Sequence, residues 1–411
     1  MNTLFLEDSD NGLVKTWNDL QTDLNQTKLY NYYCYEKNCY EIFKCIILSL
    51  ILNKEITLID GGFSDYEIDK LLGTKDDIKR QECIDVNLNL EYTSKDAFLE
   101  NIFQSTSKWK ISLFTSGTTG KPKRVSHRFS TMTRYIKKEF RQNNAKWGLA
   151  YNPNHIAGVY VFFQALLNGN SIVRLFGLRK QLIYEKIKEN KISHISATPT
   201  FYRMLLPFDQ KIKSVKHLTV GGEIFYPNTI EKIKRIFTNA QILNIYASTE
   251  IGSLLASSDE YFTIPARYKN LLKIQENVLY VHSSLLGSFD NEKEEWYNTG
   301  DLIEYVDGEE ERFKFATRIT DVLNVGGYNV VPAEVESCIL KFPGIKHARV
   351  YGKKNSVLGN LVAADLVVDG GFNKEDLMGF LKEHLLHYKL PRIINYMDEL
   401  PKSYSGKMLR N

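Results

Sequence analysis

The sequence predicts an α/β fold: a large amino-terminal domain with helices packed on mostly parallel sheets, followed by a small α+β domain. Three observations carry this. The chain has 411 residues, more than the ~250–300 that one core commonly organises, so two domains are expected. Its central part alternates helix-like and strand-like segments, the pattern that packs helices on parallel strands. Its character changes near Ala316, and the remainder has the length of a small independent unit.

The elements follow in order. Residues 1–107 are weakly patterned, but Glu41 to Asp60, EIFKCIILSLILNKEITLID, reads as a helix, a turn and a strand. The apolar run Cys45 to Leu52 is far shorter than the ~20 residues that span a bilayer, so it belongs in a core and no membrane span is expected. In KWKISLFT the alternation of Trp109, Ile111 and Leu113 predicts a strand. GVYVFFQALLNG, Gly158 to Gly169, is long, apolar and closed by Asn-Gly, which predicts a buried helix. LIYEKIKEN then HISATP, TFYRMLL then HLTVGG, and TIEKIKRIF then ILNIYA each read as helix followed by strand. Beyond Ala316, Pro332 marks the first turn of a helix. HARVYG, LVAADLVV and RIINYM read as strands around the helical KEDLMGFLKEHL. The expected domains are residues 1–316 and 317–411.

Composition excludes several classes. Hydrophobic residues make up 43% and charged residues 25%, the balance of a soluble globular protein. The net charge of +4 neither suggests nor excludes a nucleic-acid partner; with no long basic block and no nucleic-acid-binding motif, none is expected. The 24 tyrosines and 22 phenylalanines read as packing residues. Cys34, Cys39, Cys45, Cys83 and Cys338 form no CxxC pair and no zinc spacing, which reads as reduced thiols in a cytoplasmic protein. The opening MNTLFLEDSDNG is acidic where a secretory signal is basic.

The densest chemistry lies in Phe114 to Lys123, FTSGTTGKPK. Its glycines let backbone approach an anion. Its hydroxyls and N–H groups donate to phosphate oxygens, and its lysines add mobile positive charge. A strand leads into it, so the donors gather at a strand end, where α/β proteins bind ligands. It is not a Walker loop, which wants glycine where Thr115 stands and Ser or Thr where Pro122 stands.

FTSGTTGKPK resembles the SGTTGKPK signature of the adenylate-forming superfamily of acyl-CoA synthetases, peptide-synthetase adenylation domains and luciferases. Further segments resemble that family's motifs in the family's order. YNPNHIAG (Tyr151 to Gly158) is similar to its aromatic-His-Gly segment, and VGGEIF (Val220 to Phe225) to its adenine-facing turn. YASTE (Tyr246 to Glu250) resembles YGxTE, and YNTGD (Tyr297 to Asp301) resembles YxTGD. TRITDVLNVGGYNVVPAEVE (Thr317 to Glu336) resembles the hinge motif, and LPKSYSGKMLR (Leu400 to Arg410) the carboxyl-terminal lysine motif. The resemblance runs from about Asp60 to the end.

It implies a two-step reaction. A carboxylic acid attacks the α-phosphate of ATP to give an acyl-adenylate and pyrophosphate; a thiol then takes the acyl group and AMP leaves. ATP and Mg²⁺ are implied, with CoA or the phosphopantetheine of a separate acyl carrier protein as the thiol. The resemblance implies that Thr115, Ser116, Gly117, Thr118, Thr119, Gly120, Lys121 and Lys123 hold the β- and γ-phosphates. Gly222 and Glu223 lie beside adenine and Tyr246 stacks on it. Thr249 touches the α-phosphate and Glu250 helps hold Mg²⁺. Asp301 accepts the ribose hydroxyls, with Arg318 close by. Lys407 bridges the attacking carboxylate and the α-phosphate, and His155 borders the acid pocket. The small domain is implied to rotate between half-reactions, presenting first Lys407 and then Gly326 and Gly327 to the thiol tunnel. Departures fall at the hinge, where Thr320 stands for Asp or Lys, and at Asn329, Thr317 and Ala247. The amino-terminal region is also short: 113 residues precede Phe114, fewer than the family commonly has. A degenerate member that only binds nucleotide is the contrasting reading, and the retained Lys407, Asp301 and Glu250 argue against it.

Overall fold

The computed structural model describes the chain except for residues 9–10, 64–67, 69–71, 73–82, 105, 116–122, 137–143, 209, 224–226, 290–293, 307, 326–327, 356–358, 370–372 and 402–411. The chain opens with β1 (Leu4–Asp8), β2 (Leu13–Thr16) and helix α1 (Trp17–Gln26). Short β3 (Leu29–Tyr30) and β4 (Tyr33–Glu36) lead to helix α2 (Cys39–Ile51) and β5 (Glu55–Asp60). After β6 (Ile84–Asp85) and α3 (Lys95–Ile102) comes the hairpin β7 (Lys110–Thr115) and β8 (Lys123–Arg128), followed by α4 (Phe129–Thr133). Strand–helix alternation then sets in: β9 (Lys146–Leu149), α5 (Ile156–Leu167), β10 (Ser171–Arg174), α6 (Lys180–Glu189), β11 (His194–Ala197), α7 (Pro199–Met204), β12 (His217–Gly221), α8 (Pro227–Ile236) and β13 (Gln241–Ser248).

From there the chain is mostly extended: β14 (Gly252–Ser257), β15 (Phe262–Thr263), β16 (Leu272–Gln275), β17 (Val278–His282), β18 (Trp296–Val306) and β19 (Glu309–Arg318). A single turn at Ile319–Asp321 precedes β20 (Leu323–Val325), β21 (Tyr328–Val330), α9 (Pro332–Ile339), β22 (Ile345–Asn355), β23 (Gly359–Val368), α10 (Lys374–His384) and β24 (Ile393–Tyr396).

Two sheets of parallel character organise the first part. The larger has eight strands in the order β14-β13-β12-β11-β9-β10-β1-β2. Its six inner strands are parallel; β2 and β14 close the edges antiparallel. The smaller runs β4-β5-β7-β8, with only the β7–β8 pair antiparallel. Helices α2 and α5 share one core with both sheets, and Phe43 stacks on Phe162 at 4.2 Å between the two helices. The sequence of α5, IAGVYVFFQALL, is apolar on every side, as a helix enclosed between layers must be. Trp109, fully buried, donates its indole N–H to the Ser49 hydroxyl at 2.8 Å and so fastens β7 to α2. On the other face of the large sheet, α6, α7 and α8 bury Ile183, Tyr202 and Ile233.

The amphipathic periods of α6 and α8 are therefore read correctly by sequence. The antiparallel sheet β15-β19-β18-β17-β16 is not anticipated by it. A final sheet, β21-β20-β23-β22 with β24 on β23, carries α9 and α10 over a separate core of Val335, Val350, Leu366 and Leu377. Among the described residues no helix is long and apolar enough to cross a membrane.

Candidate active site

The strands of the two parallel sheets bring several of the motif residues to their carboxyl ends. Asp60 ends β5 and Thr115 ends β7. Tyr151, Asn152 and His155 follow β9, Gly222 and Glu223 follow β12, and Thr249 and Glu250 follow β13. Carboxyl ends of parallel strands are where α/β folds gather ligand sites, because the loops there converge.

Tyr246, Asp301 and Arg318 meet directly, although 55 residues separate the first two. The Tyr246 hydroxyl donates to Asp301 Oδ2 at 2.5 Å, and Arg318 Nε donates to Asp301 Oδ1 at 2.8 Å. Asp301 itself is 7% exposed, and its own N–H donates to the Thr299 hydroxyl. Burial first, and then the Asp301 carboxylate, push the Tyr246 phenol well above its usual range, so it stays a donor. One face of the Tyr246 ring is covered by Phe315, with centroids 4.0 Å apart and planes at 9°. Each Asp301 oxygen accepts one of these bonds and keeps a further acceptor lone pair.

Glu250 belongs to the same electrostatic neighbourhood. Tyr297 is pushed up to about 12 by burial and next by the Glu250 charge, and Arg318 feels both Glu250 and Asp301. The Glu250 carboxylate is half-buried, with no side-chain partner among the described residues, while its carbonyl accepts from Gly287 N–H at 2.8 Å. That leaves a hard oxygen donor free for a cation such as Mg²⁺, which commonly takes one or two carboxylates together with substrate phosphates and water. No group of three or more His, Cys, Asp or Glu side chains stands together among the described residues, so a cation at Glu250 would share its shell with substrate oxygens.

Two further contacts were not legible in the motifs. Asp60 Oδ2 accepts from Asn152 Nδ2 at 2.7 Å and lies 3.6 Å from His155 Nε2. Burial works against the Asp60 charge, but His155, the Gly62 N–H and Asn152 together hold its carboxyl below the usual range. His127 on β8 places Nε2 2.7 Å from the Thr249 carbonyl. A carbonyl only accepts, so this nitrogen carries the proton. Burial, helped by Arg134, holds the His127 ring below the usual histidine range and hence neutral. Val125 and His127 alternate on one face of β8, and an Asp-Gly-Gly turn follows Asp60 at the end of β5, but neither local pattern names the distant partner.

The other residues of these motifs lie as follows. Gly222 sits at φ 84°, a turn that favours glycine. Glu223 accepts from both the N–H and the hydroxyl of Thr200 at the start of α7, at 3.1 and 2.6 Å. Thr115 and Lys123 pair across the β7–β8 ladder. The Lys123 ammonium lies over the Phe289 ring at 4.3 Å. Ser116, Gly117, Thr118, Thr119, Gly120, Lys121, Gly326, Gly327 and Lys407 fall outside the described residues.

Comparison with known proteins supplies the family. Residues 68–271 match the model of the AMP-binding enzymes, and residues 334–407 match that of the AMP-binding enzyme C-terminal domain. The 2-succinylbenzoate–CoA ligase of Bacillus licheniformis is 26% identical over 73% of this chain and 68% of its own length. The acetyl-coenzyme A synthetase of Bacillus subtilis is 28% identical over 72% of this chain and 59% of its own. In fold, the o-succinylbenzoate CoA synthetase of Bacillus subtilis, solved with its acyl-adenylate intermediate, aligns over 99% of this chain and 94% of its own with a TM-score of 0.72 at 20% identity. ATP-bound MatB from Rhodopseudomonas palustris aligns over the same shares with a TM-score of 0.74 at 16% identity. With both family models matched in order, the chain belongs to the AMP-binding enzymes of the adenylate-forming superfamily and is an ATP-dependent acid–thiol ligase of the acyl-CoA synthetase kind.

Proposed function

We propose that the strand-end face binds ATP and an aromatic or medium-sized apolar carboxylic acid, joins them as an acyl-adenylate, and passes the acyl group to CoA. The observation that carries this is the pair of carboxylates at the end of β13, Asp301 through its bond to Tyr246 and Glu250 directly after the strand. Asp301 is oriented by Tyr246 and Arg318 with a lone pair left on each oxygen, which suits the two ribose hydroxyls. Glu250 is left to a cation. When bound, Mg²⁺ offsets the negative charge of the phosphates.

The chain's own residues supply the rest. Tyr246 has one ring face on Phe315 and offers the other to adenine, beside Gly222 and Glu223. Thr249 lies at the α-phosphate. The loop from Thr115 to Lys123 receives the β- and γ-phosphates, each charge-assisted bond contributing ~1.5–3 kcal/mol. Lys407 neutralises charge where carboxylate oxygen and α-phosphorus meet. His155 to Ala157 and Thr198 to Tyr202 wall the acid, and the named 2-succinylbenzoate ligases favour an aromatic one. The small domain begins at residue 317 and pivots near Thr320, bringing Gly326 and Gly327 to the thiol in the second step. The five cysteines are free, which supports a cytoplasmic setting.

The test is product analysis with ATP, Mg²⁺ and a panel of aromatic and aliphatic acids, with and without CoA. AMP and a CoA thioester are expected with at least one acid. Pyrophosphate exchange without CoA consumption would instead point to a separate acyl carrier protein as acceptor. Bound ATP without exchange for any acid would contradict the proposal.

A further inference from the structure

The residues that hold the Thr249–Glu250 step are absent from every motif in the sequence, yet the geometry around that step is closely determined. Its two carbonyls are both engaged. The Thr249 carbonyl accepts from His127 Nε2 at 2.7 Å, and the Glu250 carbonyl accepts from Gly287 N–H at 2.8 Å. His127 is completely buried, and its Nδ1 has no partner among the described residues. A buried imidazole that leaves one nitrogen unpaired is costly; its other nitrogen spends its one donor on a backbone carbonyl 122 residues away.

The segment Leu285 to Phe289 crosses beneath. Leu285 O accepts from Arg134 Nη2 at 3.2 Å, and Ser288 exchanges two backbone bonds with Ser126 on β8, each 2.8 Å. Phe289 lies under the Lys123 ammonium. Gly287 faces the imidazole so closely that a Cβ there would lie 2.6 Å from His127 Cε1. No side chain fits between strap and ring. Strand β8 is also the exit strand of the phosphate loop, paired Thr115 to Lys123. One strand and one strap thus link Lys123, at the start of β8, to the Thr-Glu step.

We propose that His127 is a positioning residue for the established family chemistry. It fixes the height of the Thr249–Glu250 backbone against strand β8, so that the Glu250 carboxylate is held ready for Mg²⁺. It touches neither substrate nor metal and acts through the Thr249 carbonyl. It rests on the function proposed above.

The experiment compares His127→Leu, which keeps bulk and removes the donor, with His127→Gln, which can return an N–H near Nε2. Acid-dependent ATP–pyrophosphate exchange is titrated with Mg²⁺ and, separately, with the acid. Hydrogen exchange of the Thr249 to Gly252 amides is followed in the same proteins. His127→Leu is expected to need about tenfold more Mg²⁺ for half-saturation, the scale of one lost hydrogen bond. The acid KM should stay within about twofold, and those amides should exchange faster. His127→Gln should recover most of the Mg²⁺ response. An unchanged Mg²⁺ requirement in His127→Leu would overturn the proposal, as would equal losses for acid and Mg²⁺ or a glutamine no better than leucine. If the leucine variant does not fold, Gly287→Ala pushes on the ring with His127 intact; the same Mg²⁺ shift is expected, and its absence overturns the idea. A wild-type chain without exchange would remove the proposed function instead; the amide exchange of the variants then decides the positioning role alone.

Discussion

Asp301 shows how much one side chain can be prepared before a ligand arrives. Tyr246 and Arg318 each occupy one of its oxygens from one side, which fixes the carboxylate plane without exhausting its acceptors. Asp301→Ala is expected to weaken ATP binding by about ten- to a hundredfold, the scale of losing charge-assisted hydrogen bonds, as calorimetry would show. An unaltered affinity would place the ribose elsewhere. Glu250→Gln keeps size and removes charge, so the Mg²⁺ needed for activity should rise about tenfold or more with acid affinity little changed; a magnesium titration checks it. At this scale the sequence nominates Asp301, Tyr246 and Glu250, because each lies in a short local motif. It does not disclose Asp60 or His127. Their partners, Asn152 and Thr249, stand 92 and 122 residues away, and no local spacing encodes such a pairing.

The elements behave according to how local their signals are. Helices α5, α6 and α8 were legible because period and polarity are properties of adjacent residues. The amino-terminal strands were not: β1 pairs Leu6 with Ile172 and joins a sheet built mostly from residues beyond 145. The antiparallel sheet of β15 to β19 also escaped, since strands such as VLYVH are apolar without alternation. Helix α5 links packing to the site, because His155 caps it and Phe162 stacks on Phe43. Phe162→Ala should cost about 3–5 kcal/mol, read by urea unfolding.

The opposite ends of the parallel strands carry a pH signature. His194 opens β11, stacked between Trp147 and His217 at 4.6 Å on each side. Burial, and then His217, push it down to about 4. The unfolded chain therefore binds more protons than the folded one between roughly pH 6.5 and 4. Stability should be fully present above that window and fall as pH drops through it. In His194→Gln the slope of unfolding free energy against pH should be shallower; an identical slope would contradict the assignment.

At the scale of the whole molecule, the proposed chemistry is shared between two expected domains. On that proposal the first carries the nucleotide residues, and the lysine motif ends the second, beyond the described residues. A motif can announce Lys407, but the distance between that lysine and Asp301 depends on how the two units meet, which no residue pattern contains. The adenylation step needs them together for a simple reason: two anions must approach, and positive charge has to be at the meeting point.

Acid-dependent ATP–pyrophosphate exchange, measured side by side in the wild type and in Lys407→Ala with ATP affinity determined in both, tests this most directly. Exchange in the wild type, its loss by at least about a hundredfold in the variant and near-equal ATP affinities are expected. Undiminished exchange without Lys407 would contradict the proposed chemistry.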